Sequence, residues 1–298
     1  MMTSDTSETV FDRVTELRWQ RGLAPHPDTG KLEPMTWDVA KRACDVLDLE
    51  GFDDWRLPSR IELVSIVNHK KVSPAIPDKL SPTETEELFH GTVNTDYLWS
   101  STPLARPPDP ERPDPPPPPT SVWCVHVLDG SSAGCAVEES KPARCIRGGK
   151  ATSGERCVNE LDSSGKTVTD KQTGLTWQRD GDGNAYTRAA AAKHCDDLEL
   201  AGLTWRLPTV QELLTIVDHA RPAPALDPDS FPAPEPCHMC LPEAVLCECP
   251  NWYWSSTDYA YMKGDKKQAW KVGFGAGYED AMTEESHGRV RCVANDGC

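Results

Sequence analysis

Two groups of residues in the sequence have the types and spacing that bind metal ions or carry thiol chemistry. The first is Cys237-x-x-Cys240 followed by Cys247-x-Cys249, and two such thiolate pairs could complete a tetrahedral zinc site. We favour two local disulfides instead, because Cys-x-Cys is tight spacing for a structural zinc ribbon. No strand-helix-strand pattern of the thioredoxin kind surrounds these cysteines, which argues against a redox-active pair.

The second group, Asp180-Gly-Asp182-Gly-Asn184, has the alternating oxygen ligands that begin an EF-hand calcium loop. The segment then departs from that pattern, because Ala185 and Ala191 stand where an EF-hand needs Gly and Glu. We interpret it as a polar turn before a helix. Asp180, Asp182 and Asn184 remain candidate calcium ligands, although we expect the chain to need no cofactor.

Composition and missing motifs exclude several classes of function. The formal net charge is -16, which disfavours binding to nucleic acids or anionic membranes. No apolar run is long enough to span a bilayer, so we expect no membrane insertion. The sequence contains no G-x-S-x-G, P-loop or H-E-x-x-H motif, and we predict that the protein is not an enzyme. The oligomeric state stays open.

An internal repeat organises the elements that must position these residues. Segments of the first half return in the same order in the second half, which chance does not produce. We therefore predict one module over residues 1–150, with a Pro-rich insertion over 103–119, and another over 151–298, with a Cys- and Pro-rich insertion over 222–250. The matching segments are Leu17–Arg21 with Leu175–Arg179, Trp55–Pro58 with Trp205–Pro208, Glu62–Val67 with Glu212–Val217, Trp99–Thr102 with Trp254–Thr257, and Arg144–Ile146 with Arg291–Val293.

Each module is predicted to contain a strand, two helices and then several strands. Thr36 is placed to cap the first helix of module one. The second helix of each module begins with a capping box, Ser59-x-x-Glu62 and Thr209-x-x-Glu212, in which the hydroxyl and the carboxylate each accept a backbone hydrogen bond. This structural role explains both glutamates better than a catalytic one.

The later part of each module alternates apolar and polar residues, as β-strands do. Asp129-Gly130 indicates a two-residue hairpin turn. Such a turn would place Cys124 opposite Cys135 on neighbouring strands, close enough for a disulfide.

The motifs T-G-L-x-W-x-R, A-x-x-x-C, W-R-L-P-[TS]-x-x-E-L, W-S-S-T and R-C-[VI] together resemble the Lcl C-terminal domain family. The resemblance covers nearly the whole chain, twice, although copy one lacks the Thr-Gly pair before Trp19. It implies an α+β fold related to C-type lectins and formylglycine-generating enzymes. Each module would then be C-type-lectin-like, with two helices and a small twisted antiparallel sheet. The family implies no defined reaction.

The resemblance also implies disulfides. Lectin-like domains staple the first helix to the last strand and bring their termini together, so we expect the pairs Cys44–Cys145, Cys195–Cys292 and Cys157–Cys298.

The 12 cysteines suit an oxidising compartment, whereas Met1–Val10 is polar and shows no secretory signal. We predict an extracytoplasmic protein, with a cytosolic protein carrying reduced thiols as the alternative.

The W-R-L-P and W-S-S-T segments have two interpretations. They can be structural, with Trp in the core, Arg salt-bridged or stacked, and hydroxyls satisfying backbone groups. Alternatively, they form a ligand site in each module, built from Arg56, Trp99 and Ser100, and from Arg206, Trp254 and Ser255.

The sequence thus predicts a non-enzymatic binding or adhesion protein that recognises a glycan or a protein. The sugar-binding motifs of calcium-dependent lectins are not present, so a lectin fold would not by itself mean lectin activity. An enzyme or a metal or redox protein using the Cys237 to Cys249 group is one alternative, and a purely structural part of a surface assembly is another.

Overall fold

The computed structural model describes residues 2–3, 8–72, 75–76, 89, 97–105, 117–149, 159–161, 165–171, 173–221, 224–232 and 252–295. It divides into two compact units, which we call unit 1 and unit 2, with the main division between Ser153 and Gly154. Each unit mixes helices with small antiparallel sheets, as the sequence predicts. The predicted partners Cys157 and Cys298 lie outside the described residues, as do most of both insertions.

Unit 1 contains two helices within its described residues. Its elements are β1 (Met2–Thr3), β2 (Thr9–Asp12), β3 (Leu17–Gln20), α1 (Trp37–Asp45), α2 (Arg60–Ser65), β4 (Tyr97–Pro103), β5 (Ser121–His126), β6 (Ser132–Ala136) and β7 (Ile146–Gly148).

Unit 2 repeats this order with two differences: a short strand lies between its helices, and the strand at the position of β4 is longer. Its elements are β8 (Asn159–Leu161), β9 (Thr167–Asp170), β10 (Leu175–Gln178), α3 (Arg188–Asp196), β11 (Trp205–Arg206), α4 (Val210–Thr215), β12 (Trp252–Lys263), β13 (Lys266–Gly273), β14 (Tyr278–Thr283) and β15 (Val293–Asn295).

Each unit has two antiparallel sheets. In unit 1 the strand orders are β1-β2-β3-β7 and β4-β5-β6, and in unit 2 they are β8-β9-β10-β15-β11 and β12-β13-β14. In both units a strand near the start of the unit pairs with the last strand, β3 with β7 and β10 with β15.

The three-stranded sheet of unit 1 is covered by a helix on each face. Val122 and Cys124 of β5 join the apolar cluster of Trp37 and other α1 residues. Trp123 points to the opposite face, as alternation along a strand requires. There its ring lies 3.7 Å from the guanidinium carbon of Arg60, the first residue of α2. Burial on both faces explains the nearly continuous apolar run of β5.

The helix starts follow the sequence prediction in most details. Both capping boxes are present, with Ser59 and Glu62 at α2 and Thr209 and Glu212 at α4. Thr36 is the N-cap residue of α1, but its side chain makes no capping hydrogen bond. The Trp37 amide at the start of α1 instead donates to the Val137 carbonyl at 3.1 Å.

Disulfides join the first helix of each unit to the segment before the last strand, through Cys44–Cys145 and Cys195–Cys292. The Cα atoms of both pairs lie 5.4 Å apart. A third disulfide joins Cys124 to Cys135. Three disulfides among the described residues indicate an oxidising, extracellular compartment.

A buried arginine lies next to each of the first two disulfides. Arg144 is fully buried, and its Nη1 atom donates to the carbonyl oxygens of Gln20 (2.8 Å), Arg21 and Gly22 (3.0 Å). Its guanidinium also faces the ring of Phe89.

The same arrangement occurs in unit 2. Arg291 donates to the carbonyl oxygens of Gln178 (2.8 Å) and Arg179, and it faces the ring of Phe231. Burial lowers the pKa of both guanidinium groups.

The predicted two-residue turn at Asp129-Gly130 is wrong. The amide of Gly130 donates to the carbonyl of His126, and the amide of His126 donates to the carbonyl of Ser131, so four residues, 127–130, form the loop. Cys135 consequently pairs with Val122, and the Cys124–Cys135 disulfide runs diagonally across β5 and β6.

The position of Gly130 explains this loop. Its φ is +81°, and a Cβ atom there would overlap with a methyl group of Val67, just after α2. The loop therefore packs tightly against the helix, which a count of residues between strands cannot reveal.

We predict that Gly130→Ala lowers the free energy of unfolding by about 3 kcal/mol, because strain from a positive φ and overpacking add together. Gly30→Ala is the matched control, since Gly30 has a φ of +68° and open space around it. Gly30→Ala should lower the free energy of unfolding by only about 1 kcal/mol. Urea denaturation measures both, and equal losses would contradict the packing explanation.

Candidate functional site

The arginine of W-R-L-P and the glutamate of the capping box form one network in unit 1. Arg56 donates to both carboxylate oxygens of Glu62, at 2.9 and 2.6 Å. The Ser59 amide donates to the same carboxylate at 2.8 Å. Burial raises the pKa of Glu62, but the Arg56 and Ser59 hydrogen bonds outweigh it, so the pKa lies below its ordinary value. The carboxylate is therefore ionised and committed to the helix start.

Unit 2 repeats the network. Arg206 donates to both oxygens of Glu212, at 2.8 and 2.7 Å, and also to the Asn295 side chain. The Thr209 amide donates to Glu212 at 2.7 Å. Burial raises the pKa of Glu212, but these hydrogen bonds again outweigh it, so the pKa lies below its ordinary value.

The W-S-S-T residues lie in the core. In unit 1, Trp99 donates through Nε1 to the Met35 carbonyl at 2.7 Å, and Ser100 donates through Oγ to the Trp123 carbonyl at 2.6 Å. Both residues are fully buried. Trp99 lies in the α1 cluster, whereas the Arg56 guanidinium is bonded to Glu62.

In unit 2, Trp254 donates to the Tyr186 carbonyl and Ser255 to the Trp270 carbonyl, both at 2.8 Å. They too are fully buried. In both units, the buried Trp and Ser donate to backbone carbonyls in the core, whereas the arginine donates to the glutamate of the capping box. Arg56 and Arg206 are the members of each predicted set that solvent reaches.

Unit 2 carries a buried lysine where unit 1 has a disulfide cysteine. Cys124 lies opposite Trp99 in the sheet, and Lys271 lies opposite Trp254. The Nζ atom of Lys271 is 3.8 Å from the Trp254 ring centroid, and it donates to the Ser286 hydroxyl (3.0 Å).

Lys271 also donates to the His287 carbonyl at 2.8 Å, so its hydrogen bonds hold the loop after β14. The residue has no exposed surface, and burial lowers its pKa to about 8. The sequence prediction missed this residue, although comparing the two copies at Cys124 would have identified it.

The predicted calcium-like segment of unit 2 is a turn with internal hydrogen bonds. The Asp182 carboxylate accepts from the backbone amide (3.0 Å) and side-chain amide (3.1 Å) of Asn184 and from the Tyr186 hydroxyl. Burial raises the pKa of Asp182, but these hydrogen bonds outweigh it, so the pKa lies below its ordinary value. The Asp180 carboxylate lies 3.6 Å from the Arg179 guanidinium.

No group of three or more His, Cys, Asp or Glu side chains within the described ranges could hold a metal ion. The cysteines from Cys237 to Cys249 lie outside those ranges. No described helix is long and apolar enough to cross a membrane.

The same turn lines a cavity of about 190 Å³ in unit 2. Its wall combines the charged side chains of Asp180, Asp182 and Arg289 with Tyr253 and Arg291. We call it the turn cavity. Its mixture of carboxylates, guanidinium groups and a phenol ring suits a polar ligand that makes several hydrogen bonds.

Unit 1 has smaller or apolar residues at the corresponding positions. Gly22 and Leu23 follow the Gln-Arg pair where Asp180 and Gly181 follow it in unit 2. Likewise, Pro142 stands two residues before Arg144, where Arg289 precedes Arg291. At these positions, the charged side chains of the cavity wall have no charged counterpart in unit 1.

We predict that Glu62→Gln lowers the free energy of unfolding at pH 7 by about 1–3 kcal/mol, because the variant loses an ion pair and weakens a cap. Because the folded-state pKa is lowered, the contribution of Glu62 is present above its unfolded pKa and disappears as the pH falls below about 4.5. Urea denaturation from pH 7 to pH 3 should show the two proteins converging. Glu138→Gln, an exposed carboxylate, should have little effect at any pH.

Lys271 gives a prediction for alkaline pH. Its folded-state pKa of about 8 lies below the ordinary value of about 10.4, so the unfolded chain binds an extra proton between these values. The wild-type chain should therefore gain stability relative to Lys271→Met as the pH rises from about 8 to about 10. Lys267→Met, at an exposed position, is the control and should show no such trend. A stability difference for Lys271→Met that does not vary with pH would contradict the assignment.

The sequence matches the Lcl C-terminal domain over residues 8–147 and again over residues 166–294. No curated protein sequence matches the chain. The two matched stretches fall on units 1 and 2, and they confirm both the predicted family and its duplication. The chain therefore belongs to the Lcl C-terminal domain family and carries two tandem copies of that domain.

Proposed function

We propose that the chain is a non-enzymatic, extracytoplasmic binding or adhesion protein whose units are C-type-lectin-like modules. The ligand is a glycan or a protein. The observation that carries the proposal is the contrast between the copies. The motif residues that both copies share belong to the frame of each unit. The residues that differ between the copies include the polar wall of the turn cavity.

The shared residues offer little for chemistry on a substrate. Glu62 and Glu212, the carboxylates common to both capping boxes, are held by an arginine and by the backbone at the start of a helix. Ser100 and Ser255 are buried, and each donates to a carbonyl. Residues held in this way support a scaffold rather than a catalytic centre.

The turn cavity supports binding for three reasons. It is concave and large enough for a small sugar or an amino-acid side chain. Its floor includes Arg291, which the core holds rigidly, so a ligand meets a preorganised surface. Asp180 and Arg289 add opposite charges to its lining, which favours a ligand with both donors and acceptors.

The compartment supports the same proposal. Disulfides in three places suit a protein that works outside the reducing cytosol. Surface glycans and proteins are the partners that such a protein meets. The arrangement of one helix on each face of a small antiparallel sheet supports the C-type-lectin-like assignment.

We expect a screen of glycans and cell-surface proteins, run with and without calcium, to find a ligand for the full-length chain. Arg289→Ala and Asp180→Asn should each weaken that binding at least tenfold, because both remove a charged group from the cavity wall. Arg147→Ala is the control, since Arg147 is a surface arginine of unit 1 that pairs with Asp54. A screen without ligands, or ligands insensitive to both cavity variants, would contradict the proposal.

A further inference from the structure

A second concave surface of unit 2 lies beside helix α3, away from the residues of the turn cavity. We call it the α3 groove. It has a volume of about 450 Å³, and its apolar surface comes from Ala189, Ala192 and Leu207. The acidic residues Glu284 and Glu285, just after β14, line its other side.

The corresponding face of unit 1 is covered by its own lysine. Helices α1 and α3 are both nine residues long and begin after Thr36 and Thr187, so Asp38 and Lys41 correspond to Ala189 and Ala192. Lys41 places its Nζ atom 2.8 Å from the Asp38 carboxylate and 3.6 Å from the Trp37 ring centroid.

Unit 2 lacks this cover because both residues are alanine. Two methyl groups stand where unit 1 has the lysine stem and the aspartate, so this face of α3 carries less side-chain bulk than that of α1. The frame beneath is the same, since Ala191 and Cys195 of α3 are buried as Ala40 and Cys44 are in α1.

The charge around the groove is negative. Arg188 is the cation in its lining, and it is already engaged. Its guanidinium pairs with Glu284 and with Asp258 (2.6 Å), and it donates to the Ser256 carbonyl at 2.7 Å. Glu285 is exposed and adds a further negative charge. Two carboxylates thus pair with the one guanidinium, and Glu285 adds a third negative charge to the surroundings of the groove.

We propose that the α3 groove binds a lysine side chain from a basic segment of a partner protein. The methylene stem would lie on Ala189, Ala192 and Leu207, and the ammonium group would meet the carboxylates of Glu284 and Glu285. A lysine has this combination of an apolar stem and a charged end. The inference rests on the proposed binding function but places the partner on a different surface.

The net charge of the chain strengthens the argument. At a formal charge of -16, the protein attracts basic segments at long range and raises their rate of encounter. Long-range attraction alone does not select a site. The apolar floor of the groove selects the site, because only a cation with an apolar stem covers it.

The test uses the full-length chain and a fluorescently labelled peptide of alternating lysine and glycine residues, followed by anisotropy. Ala192→Leu should weaken binding at least tenfold, because it fills the groove without changing any charge. Leucine also favours helix, so α3 should persist, and circular dichroism will confirm this. Glu285→Gln should weaken binding severalfold.

Two controls separate the groove from general electrostatics. Glu138→Gln removes the same charge from an exposed position in unit 1 and should leave the affinity unchanged. A peptide with acetylated lysines should not bind. The inference is overturned if the lysine peptide does not bind, if Ala192→Leu binds normally, or if Glu138→Gln weakens binding as much as Glu285→Gln.

The same variants distinguish this inference from the proposed function. The Ala192→Leu variant should still bind any ligand of the turn cavity, and the Arg289→Ala variant should still bind the lysine peptide. Lysine binding that is lost in Ala192→Leu supports the groove even if no cavity ligand is found. A cavity ligand without lysine binding supports the proposed function and overturns the groove.

Discussion

Each unit depends on the hydrogen bonds of one buried arginine guanidinium, which lies beside the disulfide that ties the first helix to the segment before the last strand. A cation is costly to bury unless its donors find acceptors, and here backbone carbonyls at the end of β3 or β10 supply them. Arg144 thereby fixes the position of Cys145 relative to the first sheet, and the disulfide carries that constraint to α1. The helix in turn covers one face of the second sheet. Arg291 and Cys292 do the same in unit 2.

The features that sequence could predict are those set by residues close together in the chain. The capping boxes are of this kind, because Ser59 and Glu62 satisfy each other within one helical turn. The hairpin loop is not, because its length depends on the contact between Gly130 and Val67, which are far apart in sequence. The family motifs supplied the two long-range disulfides that local patterns could not.

The candidate sites were harder to predict for a related reason. Motifs shared by the two copies attract attention, yet Trp99 and Ser100 are shared because the core needs them. The residues of the two proposed sites in unit 2 differ from their counterparts in unit 1, and a search for repetition passes over them. Lys271 replaces a cysteine, and Ala192 replaces a lysine. Their meaning appears only when the two units are compared position by position in three dimensions.

The pairing of β3 with β7, and of β10 with β15, also bears on how such a chain arises. The opening strands and the last strand of each unit belong to one sheet, and every described sheet contains strands of a single unit. A copied gene segment can therefore be joined to its original without threading a strand through an existing core. Each copy has its own buried guanidinium and disulfide, so the loops of one copy can change without altering the frame of the other.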